Sequence, residues 1–178
     1  MMNQEALWIE KAKGGDHRAF KSLYEVHVTP LFRFLRQFSS DTGQVEDWVQ
    51  RAFIKAFEHL QDFQGRARFS SWLFTLGLNE MRMDRRRAQI VPMVPIEYDE
   101  FSSSESEPQQ FDWNETMKAW MLDLDETKRA VFTLYEIEGY SHAEIAEMLN
   151  VAESTSRTLL SRTKRYLQER WKMEETRR

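Results

Sequence analysis

Apolar residues recur at helical spacing through the first 90 positions: Phe20, Leu23 and Tyr24, then Leu31, Leu35 and Phe38, then Val49, Phe53, Phe57 and Leu60. Steps of three and four residues put such positions on one face of an α-helix, so this half is predicted to be a bundle of amphipathic helices. No convincing apolar-polar alternation predicts a strand. Pro30 falls inside the first pattern and lacks the N–H that a helix interior uses, so that helix is expected to kink or to break in two. Past Gln89 the pattern gives way to QIVPMVPIEYDEFSSSESEPQQFDWNET, whose prolines, serine run and unopposed acids are the composition of a linker. Helical spacing resumes with Trp113, Met117, Trp120, Met121 and Leu124. Asp125 is placed to cap a helix through Val131, Leu134 and Tyr135, and Gly139 to stop it. The expected fold is all-α, with two small helical domains over 1–90 and 117–178 joined by a flexible acidic linker over 91–116.

The sharpest local signal is SHAEIAEMLNVAESTSRTLLSRTKRYLQERW, from Ser141 to Trp171. Ser141 and Glu144 have the spacing of a capping box, and Ile145, Met148 and Leu149 supply an apolar stripe behind it. Asn150 tolerates the left-handed conformation that ends a helix, and Glu153 or Ser154 can cap the next one. That spacing describes a helix-turn-helix, in which Ala146 is small enough for two helices to cross closely. The second helix presents Arg157, Thr158, Ser161, Arg162, Lys164 and Arg165, residue types that bond to base edges and phosphates in a major groove. Leu160, Leu167 and Trp171 are expected to face inward.

Charge changes the picture only when it is read locally. The net charge of −4 argues against a nucleic-acid partner until the segment 97–116 is set apart, because it holds seven acids and no Lys or Arg. The remainder then carries 25 basic against 22 acidic residues, and from Ala152 onward the count is eight basic against four acidic. A second basic cluster forms at Arg82, Arg85, Arg86 and Arg87. With no cysteine and four scattered histidines, neither disulfides nor a metal site is expected, and no other cofactor is called for. No apolar run approaches the roughly 18 residues needed to cross a bilayer, and MMNQEALWIEKAKGGD has no signal-peptide core. No membrane insertion and a cytoplasmic location are expected.

A second constellation is DWVQRAFIKAFEHLQDFQGRARFSSWLFTLGLNEMRMDRRR, from Asp47 to Arg87, where aromatics alternate with polar and basic residues around a short loop. Most of Trp48, Phe53, Phe57, Phe63, Phe69, Trp72 and Phe74 belong to a core by composition alone. Flat rings beside a basic groove are also what single-stranded DNA binding needs, and the loop Asp62 to Arg66 next to an arginine-rich helix supplies both.

The stretch DWVQRAFIKAFEHLQDFQG followed by FSSWLFTLGLN resembles region 2 of extracytoplasmic-function (ECF) sigma factors, the small bacterial RNA polymerase subunits that direct promoter recognition. Likewise LDLDETKRAVFTLYEIEGYSHAEIAEMLNVAESTSRTLLSRTKRYL resembles their region 4. Two ordered motif sets at the expected separation are far more specific than either alone. The resemblance implies a non-enzymatic factor that brings core polymerase to promoters and opens the DNA, leaving the chemistry to the polymerase. It implies that Asp47, Gln50 and Phe53 dock on the clamp helices of the largest polymerase subunit. Phe63, Gln64, Gly65, Phe69, Asn79, Arg82 and Arg86 would hold the melted minus-ten element. Ser154, Thr155, Arg157, Thr158, Ser161 and Arg162 would read the double-stranded minus-thirty-five element. Further implied partners are the flap of the second-largest subunit and an anti-sigma factor, with nucleoid association when the chain is bound to polymerase.

This sequence departs from the family pattern at four places. Arg51 stands where an acid is usual, Met83 holds the place of an Asp that here follows as Asp84, and Ser156 and Leu159 replace a usual Val and Arg. Two other classes compete on the residues alone. One is a stand-alone helix-turn-helix regulator with a sensory or dimerisation domain at its N-terminus. The other is a metal-dependent nuclease using Asp47, Asp62 and Asp84, whose spacing does nothing to bring them together.

Overall fold

The computed structural model describes residues 4–90 and 113–177, and no strand occurs among them. The linker expected over 91–116 therefore lies for the most part outside the described residues. The first unit comprises α1 (Gln4–Lys13), α2 (His17–Leu35), α3 (Thr42–Glu58), a 3-10 turn (Leu60–Asp62) and α4 (Phe69–Ile90). The second comprises α5 (Trp113–Asp123), α6 (Glu126–Phe132) continuing as a π-turn (Thr133–Ile137), α7 (His142–Leu149) and α8 (Glu153–Thr176).

Local chemistry sets the helix starts. The Asp16 carboxylate accepts from the Arg18 and Ala19 N–H groups at the head of α2, and Asp41 accepts from Gln44 at the head of α3. Pro30 sits inside α2, which nonetheless runs unbroken from His17 to Leu35. One missing backbone bond is offset by burial of the same helix's Leu23, Leu31, Phe34 and Leu35, all at 0% exposure. The break considered from sequence does not occur.

The first core is built where α2, α3 and α4 meet, with Phe34 stacked on Phe74 at 4.8 Å and Trp48 almost wholly buried. Gly77 of α4 lets that helix lie close on α2: a Cβ there would stand 3.0 Å from Leu31 Cδ1 and 3.1 Å from Leu35 Cδ1. Both leucines are fully buried and have nowhere to retreat. Gly77→Ala should therefore destabilise the chain by about 1 kcal/mol net, overpacking outweighing the gain in helix propensity. A urea midpoint at or above that of the wild type would contradict this.

The two units share one continuous apolar cluster, in which Val131, Leu134, Tyr140, Ile145, Met148 and Leu149 join the first unit's core. The Tyr140 hydroxyl donates to Ser70 Oγ at 2.7 Å, and its ring meets Phe74 edge-on at 6.0 Å. Arg129 of α6, 5% exposed, donates to the carbonyls of Leu122, Leu124 and, across the units, Gln37, while its guanidinium lies over Phe38. A smaller cluster of Trp120, Met121, Leu124 and Leu167 ties α5 to α8.

Candidate nucleic-acid interface

The helix-turn-helix forms as its residues dictate. Ser141 Oγ accepts from the Glu144 N–H while the Glu144 carboxylate accepts from the Ser141 N–H, completing the capping box. That backbone donor is the main reason the Glu144 carboxyl sits below its ordinary pKa. Asn150 adopts the left-handed conformation (φ 53°, ψ 51°) that ends α7. The start of α8 differs from expectation: Ala152 is the cap residue and no side chain bonds there, so neither Glu153 nor Ser154 serves. Glu153 instead lies one position inside the helix and pairs with Arg157 at 2.5 Å.

Ser156 turns inward, fully buried, and its Oγ lies 2.9 Å from His142 Nδ1. The histidine ring stacks on Tyr135 at 4.4 Å. A polar contact thus joins α7 to α8 where the usual valine would have made an apolar one. Burial, with the Arg157 charge adding to it and Glu153 opposing, holds the His142 pKa below 6.5. The fold consequently favours neutral His142, whereas the unfolded chain takes up its proton near 6.5. This contribution is complete above that pH and is lost as pH falls through it, because the unfolded state then binds the extra proton. The urea midpoint should fall between about pH 7.5 and 5.5 in the wild type and less steeply in His142→Gln. Parallel pH profiles would exclude this role.

With Ser156, Leu160, Thr163 and Leu167 buried, α8 turns Ser154, Thr155, Arg157, Thr158, Ser161 and Arg162 to solvent together. Lys164, on the same helix, is held by Glu136 at 2.7 Å. Leu159 packs partly buried against the core. Trp171, expected inward, is 37% exposed.

The first unit arranges its candidates differently from a reading of aromatics alone. Phe63 and Phe69 are 7% and 1% exposed and pack on each other and on Trp72, within 5.1 to 5.7 Å. They form the floor under the loop, so neither ring presents a stacking face to solvent. Gln64, Gly65, Arg66, Ala67 and Arg68 stand exposed above it, with Gly65 at φ +69° making the turn. Lys13 Nζ donates to the Phe63 carbonyl at 2.7 Å and Gln61 Nε2 to the Lys13 carbonyl at 2.5 Å, so α1 braces this loop. Along α4, Trp72, Thr75, Asn79, Arg82 and Arg86 follow at helical steps; Asn79 and Arg86 are exposed and the other three half-buried. The sequence signalled Trp72 only as one aromatic among many.

On α3, Asp47 and Gln50 are exposed, but Phe53 is 5% exposed and lies under Tyr24 at 4.7 Å. The exposed apolar residues of that helix are Ile54 at 56% and Phe57 at 46%. Two family departures answer each other here. Arg51 pairs with Asp47 at 3.2 Å and with Asp84 at 3.6 Å, and Asp84 also accepts from Trp48 Nε1 at 3.1 Å and Gln44 Nε2 at 3.3 Å. The reversed charge at 51 and the acid shifted to 84 thus become one bridge between α3 and α4. The displaced position, Met83, rests at the surface near Lys55, which forms an ion pair with the buried Glu80 at 2.5 Å. Among the described residues, no cluster of His, Cys, Asp and Glu is suited to hold a metal ion.

Comparison with known proteins agrees with this geometry. The family descriptions "Sigma-70 region 2" and "Sigma-70, region 4" match residues 23–90 and 120–167. The RNA polymerase sigma factor NccH of Alcaligenes xylosoxydans xylosoxydans is 30% identical over 162 residues, covering 86% of this chain and 87% of that one. ECF sigma factor SigM of Mycobacterium tuberculosis (strain H37Rv) is 30% identical over 150 residues, 84% of this chain and 76% of its own. Among solved structures, CnrH in complex with the cytosolic domain of CnrY superposes with a TM-score of 0.72 at 25% identity, covering 96% of this chain and 99% of that one. RpoE in complex with the anti-sigma factor NepR from Bartonella quintana gives 0.66 at 26% identity, covering 86% and 96%. The chain belongs to the ECF RNA polymerase sigma factors.

Proposed function

We propose that the two helical units divide promoter work, the first (1–90) docking on polymerase and holding the melted minus-ten strand, the second (117–178) reading the minus-thirty-five duplex. The observation that carries this reading is the exposure of Ser154, Thr155, Arg157, Thr158, Ser161 and Arg162 together on α8, in a chain whose α4 presents Trp72, Asn79, Arg82 and Arg86. Capture of unstacked bases offsets the few kcal/mol that each unstacking costs, so DNA opening needs no catalytic residue and the chain acts as no enzyme. Because Phe63 and Phe69 lie beneath the loop, base contacts fall to Gln64, Gly65, Asn79 and the exposed edge of Trp72. Polymerase docking falls to Asp47 and Gln50, with Ile54 supplying the apolar contact and Phe53 supporting the helix from below.

This work belongs in the cytoplasm, on the nucleoid when the chain is bound to polymerase; among the described residues no helix is long and apolar enough to cross a membrane. CnrH and RpoE were each solved with a protein partner, CnrY and the anti-sigma factor NepR respectively. By that likeness an anti-sigma factor is also a partner here. Run-off transcription on genomic fragments with purified core polymerase tests the division of labour. The wild type should produce discrete start sites, abolished by Asn79→Ala with Arg86→Ala; start sites that survive these changes would remove α4 from minus-ten recognition.

A further inference from the structure

The loop from Phe63 to Arg68, assigned above to base contacts, forms no regular element of its own. Its backbone is bonded at the edges, where the Phe63 N–H donates to the Leu60 carbonyl and the Trp72 N–H to the Arg68 carbonyl, each at 3.2 Å. At its far end the Arg68 side chain pairs with Glu144 at 3.0 Å. At its near end the support comes from α1, which ends at Lys13, ahead of residues 23–90 matched to region 2. Lys13 Nζ donates to the Phe63 carbonyl at 2.7 Å, and the Lys13 carbonyl accepts from Gln61 Nε2 at 2.5 Å. The Lys13 side chain is 21% exposed, with Glu10 one turn back at 3.5 Å as counter-ion. The other end of α1 bears on the same aromatic floor: Glu5 Oε2 lies 3.0 Å from His27 Nε2, and the buried His27 ring packs on Phe69 at 5.2 Å. Ile9 and Ala12, between those ends, are buried in the core cluster.

We propose that Lys13 is a positioning residue for minus-ten recognition: by holding the Phe63 carbonyl it keeps Gln64 and Gly65 where an unstacked base meets them. This rests on the assignment of base contacts to the loop. Phe63 joins the two parts, since its ring packs into the floor against Phe69 and Trp72 while its carbonyl belongs to the peptide group shared with Gln64. That peptide group is planar, so fixing its oxygen fixes the direction in which the chain enters the turn at Gly65, where φ is +69°. Without the ammonium, water satisfies the carbonyl and the fold loses little, but the loop samples other directions. Affinity for a base then falls by the fraction of time that the loop spends in the reading conformation. With its ammonium engaged by the Phe63 carbonyl and Glu10, Lys13 acts through the loop and not on the DNA backbone.

The test uses holoenzyme assembled from core polymerase and the full chain. It is titrated with a labelled single strand carrying the minus-ten element of a promoter mapped by run-off, and with a scrambled strand of equal length; the ratio of the two affinities reports base reading. Lys13→Met, which keeps the stem and removes the donor, should lower that ratio about tenfold while the urea midpoint of the free chain stays at the wild-type value. Lys13→Arg, which retains a donor, should stay within about twofold of wild type, and so should Lys11→Met, an equal loss of charge at an exposed position of the same helix. Salt dependence separates positioning from direct contact: one lost phosphate contact flattens the slope of log affinity on log salt by about 0.7, and Lys13→Met should leave the slope unchanged. The proposal is overturned by an undiminished ratio or a flattened slope in Lys13→Met, by a ratio that falls only together with the urea midpoint, by an equal loss in Lys11→Met, or by failure of Lys13→Arg to retain the ratio. Gln64→Ala distinguishes the two levels. If it lowers the ratio and Lys13→Met does not, the brace alone fails; if it leaves the ratio unchanged, the loop does not read bases and the assignment fails together with the brace.

Discussion

Replacing Arg129 by Ala lowers the stability of the chain by about 3 kcal/mol, the largest loss expected from any single charged residue here. Arg129 is 5% exposed and satisfies the carbonyls of Gln37, Leu122 and Leu124 at 3.1, 2.6 and 2.7 Å. Burial, and then the neighbouring Arg85 charge, lower its pKa from the ordinary value, opposed by Glu126, Asp125 and Asp123. A guanidinium remains protonated under such pressure, so the cost of burying it is met by its hydrogen bonds and its seat over Phe38. Truncation to Ala leaves those carbonyls without their donor in a dry site and opens a cavity beside Phe38. Lys fares little better, because one ammonium cannot reproduce a planar fork spanning carbonyls on two units. With a urea slope near 2 kcal/mol per molar, the midpoint should fall by about 1.5 M. Since Gln37 belongs to the first unit and Arg129 to the second, the transition should also broaden or split. An Ala variant that keeps the wild-type midpoint would show that this staple does not hold the units.

Arg157→Ala with Arg162→Ala should reduce run-off transcription from promoters that depend on a minus-thirty-five element by about 100-fold, with little change in stability. Each arginine able to make a bidentate contact to guanine contributes about 1 to 3 kcal/mol of discrimination. Both residues are exposed, and the Arg157–Glu153 pair is the kind of surface ion pair that contributes little to folding. Unfolding midpoints should therefore coincide within error while transcription collapses. Transcription that persists would move minus-thirty-five recognition away from this face of α8, without touching the family membership. Leu159, which stands where an arginine is usual, packs against the core, so no third arginine from that position is expected to compensate for the double change.

Chemistry that is local in the chain is legible in the residues themselves. Asp125, the Ser141–Glu144 box and the left-handed Asn150 each depend on hydrogen bonds between residues one to five apart, and each forms as its spacing predicts. The helical stripes follow from the same short-range geometry, which is why spacing alone predicts an all-α chain. Where spacing falls short, the deciding partner is distant. The cap of α8 falls to Ala152 with no side chain bonding there, and Ser156 meets a partner, His142, fourteen residues earlier. Phe53, Phe63 and Phe69 look available in sequence because an aromatic in a basic, polar stretch suits either a core or a base-stacking platform. Only the packing of α2 and of the loop floor decides for the core.

What the sequence by itself determined is the helical class, the helix-turn-helix and the two ordered motif sets that mark an ECF sigma factor, because each is written in residues a few positions apart. Tertiary structure alone decided that Arg51 and Asp84, two separate departures in sequence, form one bridge, and that Glu126 and Glu144 rest on the arginines of the first unit. The physical reason is that an ion pair is specified by position in space. Residues 33 to 76 positions apart acquire that proximity only when the apolar cluster has closed around them.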